Sequence, residues 1–207
     1  IPSTSACSGP NAVGAAAALA AARGVKVFWT FCESHASDIP FGVVTRLLRE
    51  GTGVADLDGE AARRQVRVGL PDADPQDLLL LDDLLGIADP EVPLPQIDPD
   101  ARRRRLTALI NTTTLARTQP ALHIVEDVHW IDAVSESMLA DFLSVIPRTP
   151  SMVLITYRPE YEGALKQVRG AHAIALAPLA DSDTTVLIGE LLGSDPSVLE
   201  LAEIIAD

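Results

Sequence analysis

The stretch that decides the fold reads LHIVEDVHWID and occupies residues 122–132. A short apolar run ends there in two adjacent carboxylates, Glu126 and Asp127. Ligands of parallel α/β sheets bind at the carboxyl ends of the strands, so a buried strand that ends in charge predicts a site at that edge. Taken alone, the pattern is equally that of a strand that ends in solvent with acidic residues.

Strands and helices are predicted to alternate on both sides of this stretch. β-Branched and aromatic runs predict strands over 25–32, 121–128, 151–157 and 170–179. Helices are predicted over 11–23, 41–49, 58–68, 75–85, 100–118, 134–145, 181–192 and 196–206, with a proline-rich loop over 88–100. This order predicts an α/β fold with a parallel sheet flanked by helices.

Composition narrows the class of protein. The net charge of −13, from 16 basic and 29 acidic residues, argues against nucleic-acid binding through the general field of the chain. The run Arg102–Arg105 is typical of a nucleic-acid patch, but its shortness and the acidic total favour a solvated helix face. No apolar run has the length of a membrane span. Two cysteines without metal-ligand spacing, Cys7 and Cys32, predict reduced thiols and a cytoplasmic location.

The two carboxylates suit a magnesium site. Successive side chains at a strand end point to opposite faces, so one of Glu126 and Asp127 can face a bound Mg²⁺ while the other reaches a nearby water. Mg²⁺ prefers one or two carboxylates together with phosphate oxygens and water. Both residues are therefore candidate metal ligands and candidate catalytic residues.

The longer segment LHIVEDVHWIDAVSESMLADFL (122–143) resembles the Walker B region of the STAND class of P-loop ATPases. More narrowly, it resembles the ATPase module of bacterial adenylate cyclase-like and LuxR-type transcriptional regulators. MVLITYRPEY (152–161) is similar to the sensor strand of that family, and residues 174–192 are similar to its last core strand and the start of its helical lid. Residues 25–49 are similar to its second strand and the segment that follows.

The resemblance implies a RecA-like core over 14–180, the start of a lid over 181–207, and ATP with Mg²⁺ as cofactors. Glu126 would hold Mg²⁺ through water, and Asp127 would position or deprotonate the attacking water. Arg158 would sense phosphate, since its planar fork can grip two oxygens. His129 and Asp132 fall in the same motif and are expected in the nucleotide site, although a structural role is equally typical of such a histidine.

The N-terminal segment departs from the family. The phosphate loop is expected at about 3–10, where the chain reads STSACSGP, with Gly9 in the position of the lysine and Pro10 in that of the serine or threonine. The motif G-x-x-x-x-G-K-[ST] occurs nowhere in the 207 residues. Residues 1–13 are therefore interpreted as an atypical segment, and the first strand and the lid are expected to be truncated.

Three hypotheses follow for function. The first is a fragment of a regulatory ATP-binding domain with impaired or absent hydrolysis, contacting ATP or ADP and the other domains of a larger signalling protein. The second is a non-catalytic protein-interaction scaffold. The third is the product of a truncated or frameshifted gene. None of the three predicts direct nucleic-acid binding by this domain or a membrane segment.

Overall fold

A computed structural model describes residues 12–37 and 39–176 of the chain. Three parallel strands form one sheet: β1 (Lys26–Phe31), β2 (Ala121–Glu126) and β3 (Ser151–Ile155), in the order β1-β2-β3. Phe31 lies opposite Glu126, and Val125 lies opposite Ile155, so the carboxyl ends of the three strands meet at one edge. The parallel α/β fold predicted from the sequence is confirmed, and it is consistent with a RecA-like fold of the P-loop NTPase type.

Six helices surround this sheet in the described part of the chain. They are α1 (Ala12–Ala22), α2 (Gly42–Thr52), α3 (Gly59–Gly69), α4 (Pro75–Leu84), α5 (Pro99–Leu115) and α6 (Ala133–Val145). Asp-Pro pairs start two of them: the carboxylates of Asp74 and Asp98 cap α4 and α5 by accepting backbone N–H bonds, and a proline follows each cap. The sequence prediction of all six helices is confirmed to within a few residues at their ends.

The two faces of β2 are both covered, which explains why this strand is an almost continuous apolar run. Leu122 and Ile124 pack against Val13 and Ala17 of α1. Val125, on the opposite face, belongs to a cluster with residues of α2 and α6. The central strand is buried along its length except at Glu126, which is partly exposed. The buried part of β2 therefore ends immediately before the charged residues Glu126 and Asp127.

A second apolar cluster lies among the helices. Val54, Leu80, Leu85 and Leu106 are almost fully buried there, together with other residues of α2 to α6. Arg102, Arg103 and Arg105 of the basic run make ion pairs with Asp83, Asp141, and Asp74 and Asp77, respectively. The basic run therefore forms an ion-paired surface that joins α5 to α4 and α6, which is more specific than the solvated face expected from the sequence.

Two strand predictions need correction. β2 ends at Glu126 rather than at residue 128, because Asp127 adopts a left-handed conformation that cannot continue a strand. The strand predicted over 170–179 is absent from its described part, 170–176, where Ile174 and Leu176 are largely exposed. A second unit of the chain begins at His172. The helices predicted over 181–192 and 196–206, and the atypical segment up to residue 11, lie outside the described residues.

Among the described helices, none combines the length and the apolar character needed to cross a membrane.

Candidate functional site

The turn after β2 sets the geometry of the candidate site. Asp127 has φ 57° and ψ 39°, a left-handed conformation that aspartate tolerates better than most residues. Its backbone N–H donates to Thr156 Oγ1 at 3.0 Å. The Val128 N–H donates to the Thr156 carbonyl at 3.0 Å, and the Thr156 N–H donates to the Val125 carbonyl at 3.1 Å. Thr156 therefore holds the end of β2 to the end of β3.

Glu126 is oriented by the neighbouring strand β1. Its Oε1 accepts a hydrogen bond from Trp29 Nε1–H at 2.6 Å, and its backbone carbonyl accepts one from the Cys32 N–H at 2.8 Å. The indole donor restrains one oxygen of the carboxylate. This leaves the other oxygen, Oε2, without a hydrogen-bond partner among the described residues.

Asp127 presents the more accessible carboxylate. Its side chain is 59% exposed, and the Nδ1 of His129 lies 3.9 Å from Asp127 Oδ1. Within the described ranges, no lysine or arginine reaches ion-pair distance of Asp127 or Glu126. Two adjacent carboxylates at one strand end are thus left without a neutralising cation.

These oxygens fit a hard divalent cation that brings further ligands with it. No group of three or more histidine, cysteine, aspartate or glutamate side chains in the described ranges is arranged to hold a metal alone. Mg²⁺ suits such a site, because it keeps several waters and is held by one or two carboxylates plus the phosphates of a substrate. Glu126 and Asp127 are the residues that would hold it.

His129 lies beside the carboxylates but is mostly covered. Its side chain is 11% exposed, and neither ring nitrogen has a hydrogen-bond partner in the described structure. The Trp130 ring packs against it with a centroid separation of 5.1 Å. A proton donor or acceptor at His129 would have to come from a bound molecule or from water.

The Asp132 carboxylate is engaged in hydrogen bonds within the fold. It is 7% exposed and caps α6, with Oδ1 accepting from the Ser135 N–H at 2.8 Å and from the Phe41 N–H at 3.3 Å. Because Phe41 precedes α2, one carboxylate oxygen ties together the starts of α2 and α6. These contacts give Asp132 a structural role, and its predicted contact with a cofactor stays a prediction.

Arg158 follows β3 and is exposed, with no hydrogen bond or ion pair to its guanidinium from the described residues. The segment that carries it is anchored on both sides. Thr156 contacts the turn at Asp127, and the Tyr161 hydroxyl donates to Glu136 of α6. Burial, and then the bond to Glu136, raise the pKa of Tyr161. Arg158 is therefore a cation without a partner among the described residues, on an anchored segment near the end of the strand that pairs with β2.

Two residues of the site escape prediction from sequence. Trp29 contacts the charged turn through its indole N–H, and Thr156 contacts it through its hydroxyl and its backbone. The sequence marks Trp29 only as part of a strand. Thr156 could have been identified as a polar residue one position beyond the paired end of β3, because a residue there must lie beside the end of β2. The contact of the Trp29 indole N–H cannot be predicted until the register of β1 and β2 is known.

Cys32 follows β1 at the same edge and is 4% exposed. Burial raises the pKa of its thiol to about 12, against an opposing effect of Arg46, with Asp127 and Asp132 raising the pKa further. The thiol is therefore protonated at neutral pH and behaves as a packing group rather than a nucleophile.

Comparison with known proteins places this geometry in a family. An uncharacterised protein of Rhizobium meliloti (strain 1021) is 37% identical over 92 residues, which cover 44% of this chain and 9% of that protein. The chain thus spans less than a tenth of the length of this relative. No solved structure matches. The family model for the AAA ATPase domain matches residues 9–155, more than two thirds of the chain and all three strands. The chain therefore belongs to the AAA ATPase domain family.

Proposed function

We propose that this chain is the nucleotide-binding module of a larger regulatory protein of the adenylate cyclase-like or LuxR type. The observation that supports this most directly is the pair of carboxylates at the end of β2, Glu126 and Asp127, which lack a cation partner in the described structure. In a chain of the AAA ATPase domain family, such a strand end is the metal side of a site for a nucleoside triphosphate and Mg²⁺.

The two carboxylates would divide the work according to their surroundings. Glu126, fixed through Oε1 by the Trp29 indole, would hold Mg²⁺ through a coordinated water with its other oxygen. Asp127 is more exposed and would position the attacking water or accept its proton. Mg²⁺ supplies charge neutralisation to the phosphates when bound. The His129 ring, whose Nδ1 lies 3.9 Å from Asp127 Oδ1, would hydrogen-bond to a water held beside that carboxylate.

Arg158 would contact the nucleotide phosphates. Its guanidinium is exposed and lacks a partner in the described ranges, and the segment around it is anchored through Thr156 and Tyr161. An anchored arginine with an unpaired fork is well suited to bind two phosphate oxygens. The family match ends at Ile155, so this role depends on the position of Arg158 just beyond β3.

Hydrolysis is expected to be slow or absent. The lysine and the hydroxyl that contact the terminal phosphates and Mg²⁺ in P-loop ATPases have Gly9 and Pro10 in their expected positions. Proline also removes a backbone N–H from a loop that works through its N–H groups. The metal-side half of the site would therefore bind nucleotide weakly, with a Kd of about 0.1–1 mM.

A fluorescent ATP analogue tests the proposal. We expect saturable binding that requires Mg²⁺ and becomes about tenfold weaker in Asp127→Asn, a loss of about 1.4 kcal/mol. Asparagine tolerates the left-handed backbone, so the fold is retained while one charge is removed. Asp56→Asn is the matched control, because Asp56 is exposed and lies away from the strand end.

The second candidate is a non-catalytic interaction scaffold, which the residues at Gly9 and Pro10 favour. Equal binding of the analogue with and without Mg²⁺, or equal binding by the Asp127→Asn and Asp56→Asn variants, would contradict the proposed nucleotide site and support the scaffold. Phosphate release measured on the same samples separates weak binding from turnover.

A further inference from the structure

A cavity of about 240 Å³ lies between β2 and the five helices α2 to α6. Its wall is largely aliphatic and includes Leu48, Val66, Leu109, Ile110 and Met138. None of Glu126, Asp127, His129, Asp132 and Arg158 lines it, so it is separate from the nucleotide site proposed above. Gly69, at the end of α3, is an exposed member of the wall, and the cavity therefore communicates with solvent.

His123 is the main polar group in this wall. It is 6% exposed, and neither ring nitrogen has a hydrogen-bond partner in the described structure. The ring is held between Phe28, stacked at 4.9 Å, and Phe142, edge-on at 5.2 Å. The hydroxyls of Thr113 and Thr114 also reach the wall, but both donate to carbonyls of their own helix. A buried imidazole without partners is costly, and it points to a group that completes it.

The charge in the wall has one sign. Of the residues that the structure describes, Arg117 lines the cavity and no aspartate or glutamate does so. Its guanidinium lies 5.2 Å from the centre of the Phe28 ring and has no ion-pair or hydrogen-bond partner among the described residues. Burial, and then the charge of Arg117, lower the pKa of His123 to about 4, so the imidazole is neutral and can donate one N–H at physiological pH. This combination attracts an anion.

We propose that this cavity binds a small carboxylate with an apolar body, whose carboxylate pairs with Arg117 and accepts a hydrogen bond from His123. An apolar cavity of roughly 150 Å³ takes up benzene, so the present one has room for about ten non-hydrogen atoms. An aromatic or branched aliphatic acid of that size fits both the volume and the charge. The aliphatic wall covers the body, and the positive edge selects the acid over neutral molecules of the same shape.

Hydrocinnamate is a suitable probe, with hydrocinnamamide as its uncharged counterpart of the same size. We expect ligand-observed NMR with the full 207-residue chain to show saturable binding of the acid, with the amide at least fivefold weaker. The pKa of His123 should rise on binding, because a carboxylate favours the charged imidazole. The Arg117→Gln variant should bind the acid about tenfold more weakly, while Arg148→Gln, at an exposed arginine outside the wall, should not differ from the parent chain.

His123→Phe is a second variant, because phenylalanine preserves the stacking with Phe28 and Phe142 and removes the N–H donor. This variant should bind the acid more weakly than the parent chain. If Arg117→Gln does not fold, the affinity of His123→Phe tests the proposal in its place. The proposal is overturned by an absence of saturable binding up to about 10 mM. Equal binding of acid and amide would also overturn it, as would equal loss of affinity in Arg117→Gln and Arg148→Gln. Because nucleotide binding is measured separately, either proposal can fail alone.

Discussion

The carboxylates of the helical layer and those at the end of β2 have opposite electrostatic surroundings. In the helical layer, arginines from α3 and α5 reach acidic residues of α4, as in the pair of Arg67 with Asp82. Asp82 is 1% exposed and accepts two hydrogen bonds from Arg67, at 2.6 and 2.5 Å. At the end of β2, Glu126 and Asp127 stand side by side without a lysine or arginine partner in the described structure.

The difference separates charge used for folding from charge left for a ligand. A carboxylate that is paired within the chain gains little from a cation in solution, because its field is already neutralised. Glu126 and Asp127, which have no such partner in the described structure, keep oxygen atoms available for a cation from solution. The arginines follow the same division: Arg63, Arg64 and Arg67 of α3 and Arg102, Arg103 and Arg105 of α5 pair with acids, whereas the guanidinium groups of Arg158 and Arg117 have no such partner among the described residues.

The largest expected effect on stability concerns the ion-paired carboxylates of the helical layer. Replacing Arg67 by methionine leaves the Asp82 carboxylate buried without its partner, and we expect the free energy of unfolding to fall by about 3 kcal/mol. Urea unfolding measures this. The control is Arg64→Met, which removes an exposed ion pair with Glu60 and should cost no more than about 0.5 kcal/mol. Equal losses in the two variants would contradict the structural role given to Asp82.

The second effect depends on pH and concerns His123, which is buried but not paired. Its pKa is about 4 in the folded chain against 6.5 in a model compound, so the unfolded chain takes up the proton first as the pH falls. Its contribution to stability is therefore complete above pH 6.5 and is lost between there and pH 4. We expect about 2 kcal/mol of this loss between about pH 7 and pH 5.

The His123→Phe variant provides the control for this effect. Phenylalanine does not titrate, so the difference in pH slope between the parent chain and the variant isolates the histidine. Parallel slopes would show that the imidazole titrates near its ordinary pKa and is more accessible to water than its 6% exposure indicates.

A smaller effect is expected at the unpaired end. Thr156→Val removes the oxygen that accepts the Asp127 N–H while preserving the shape of the side chain, and we expect a loss of about 1 kcal/mol. Thr112→Val is the matched control on an exposed face of α5. A loss no greater than that of the control would mean that the left-handed turn is held by the backbone alone.

The smallest effect on stability is expected for Asp127→Asn. Removing one of two adjacent unpaired charges should change the free energy of unfolding by less than about 0.5 kcal/mol. The same variant is expected to lose affinity for the nucleotide analogue. It should thus affect binding and not stability, whereas Arg67→Met should affect stability. A large loss of stability in Asp127→Asn would place Asp127 among the structural carboxylates and would remove the distinction drawn above.

The sequence carries more information about the fold than about the site. β2 is apolar except for His123 and Glu126 because it is covered on both faces, and the Asp-Pro pairs at Asp74 and Asp98 mark helix starts through local chemistry. Both features are encoded in neighbouring residues. The strand predicted over 170–179 rested on the same apolar pattern, but in its described part the residues Ile174 and Leu176 lie exposed.

The site depends on contacts between distant parts of the chain. Glu126 and Asp127 can be identified from sequence, but Trp29 bonds to Glu126 across 97 residues and the Thr156 contact depends on the pairing of β2 with β3. An aspartate at position 132 is compatible both with a ligand role and with a helix cap, and the sequence does not distinguish the two. The structure does, because it shows the N–H groups that Asp132 accepts from. The cavity around His123 is likewise assembled from five helices and a strand, and no local pattern reports it.

The bond between Phe41 and Asp132 has a consequence for how the chain acquires its structure during synthesis. Phe41 has φ 66°, a left-handed conformation that costs a non-glycine residue about 1–2 kcal/mol. The oxygen that receives its N–H lies 91 residues later. On the ribosome, α2 therefore emerges long before the acceptor that holds its first turn. The turn at Phe41 therefore stays without this hydrogen bond until Asp132, which follows β2, has been made.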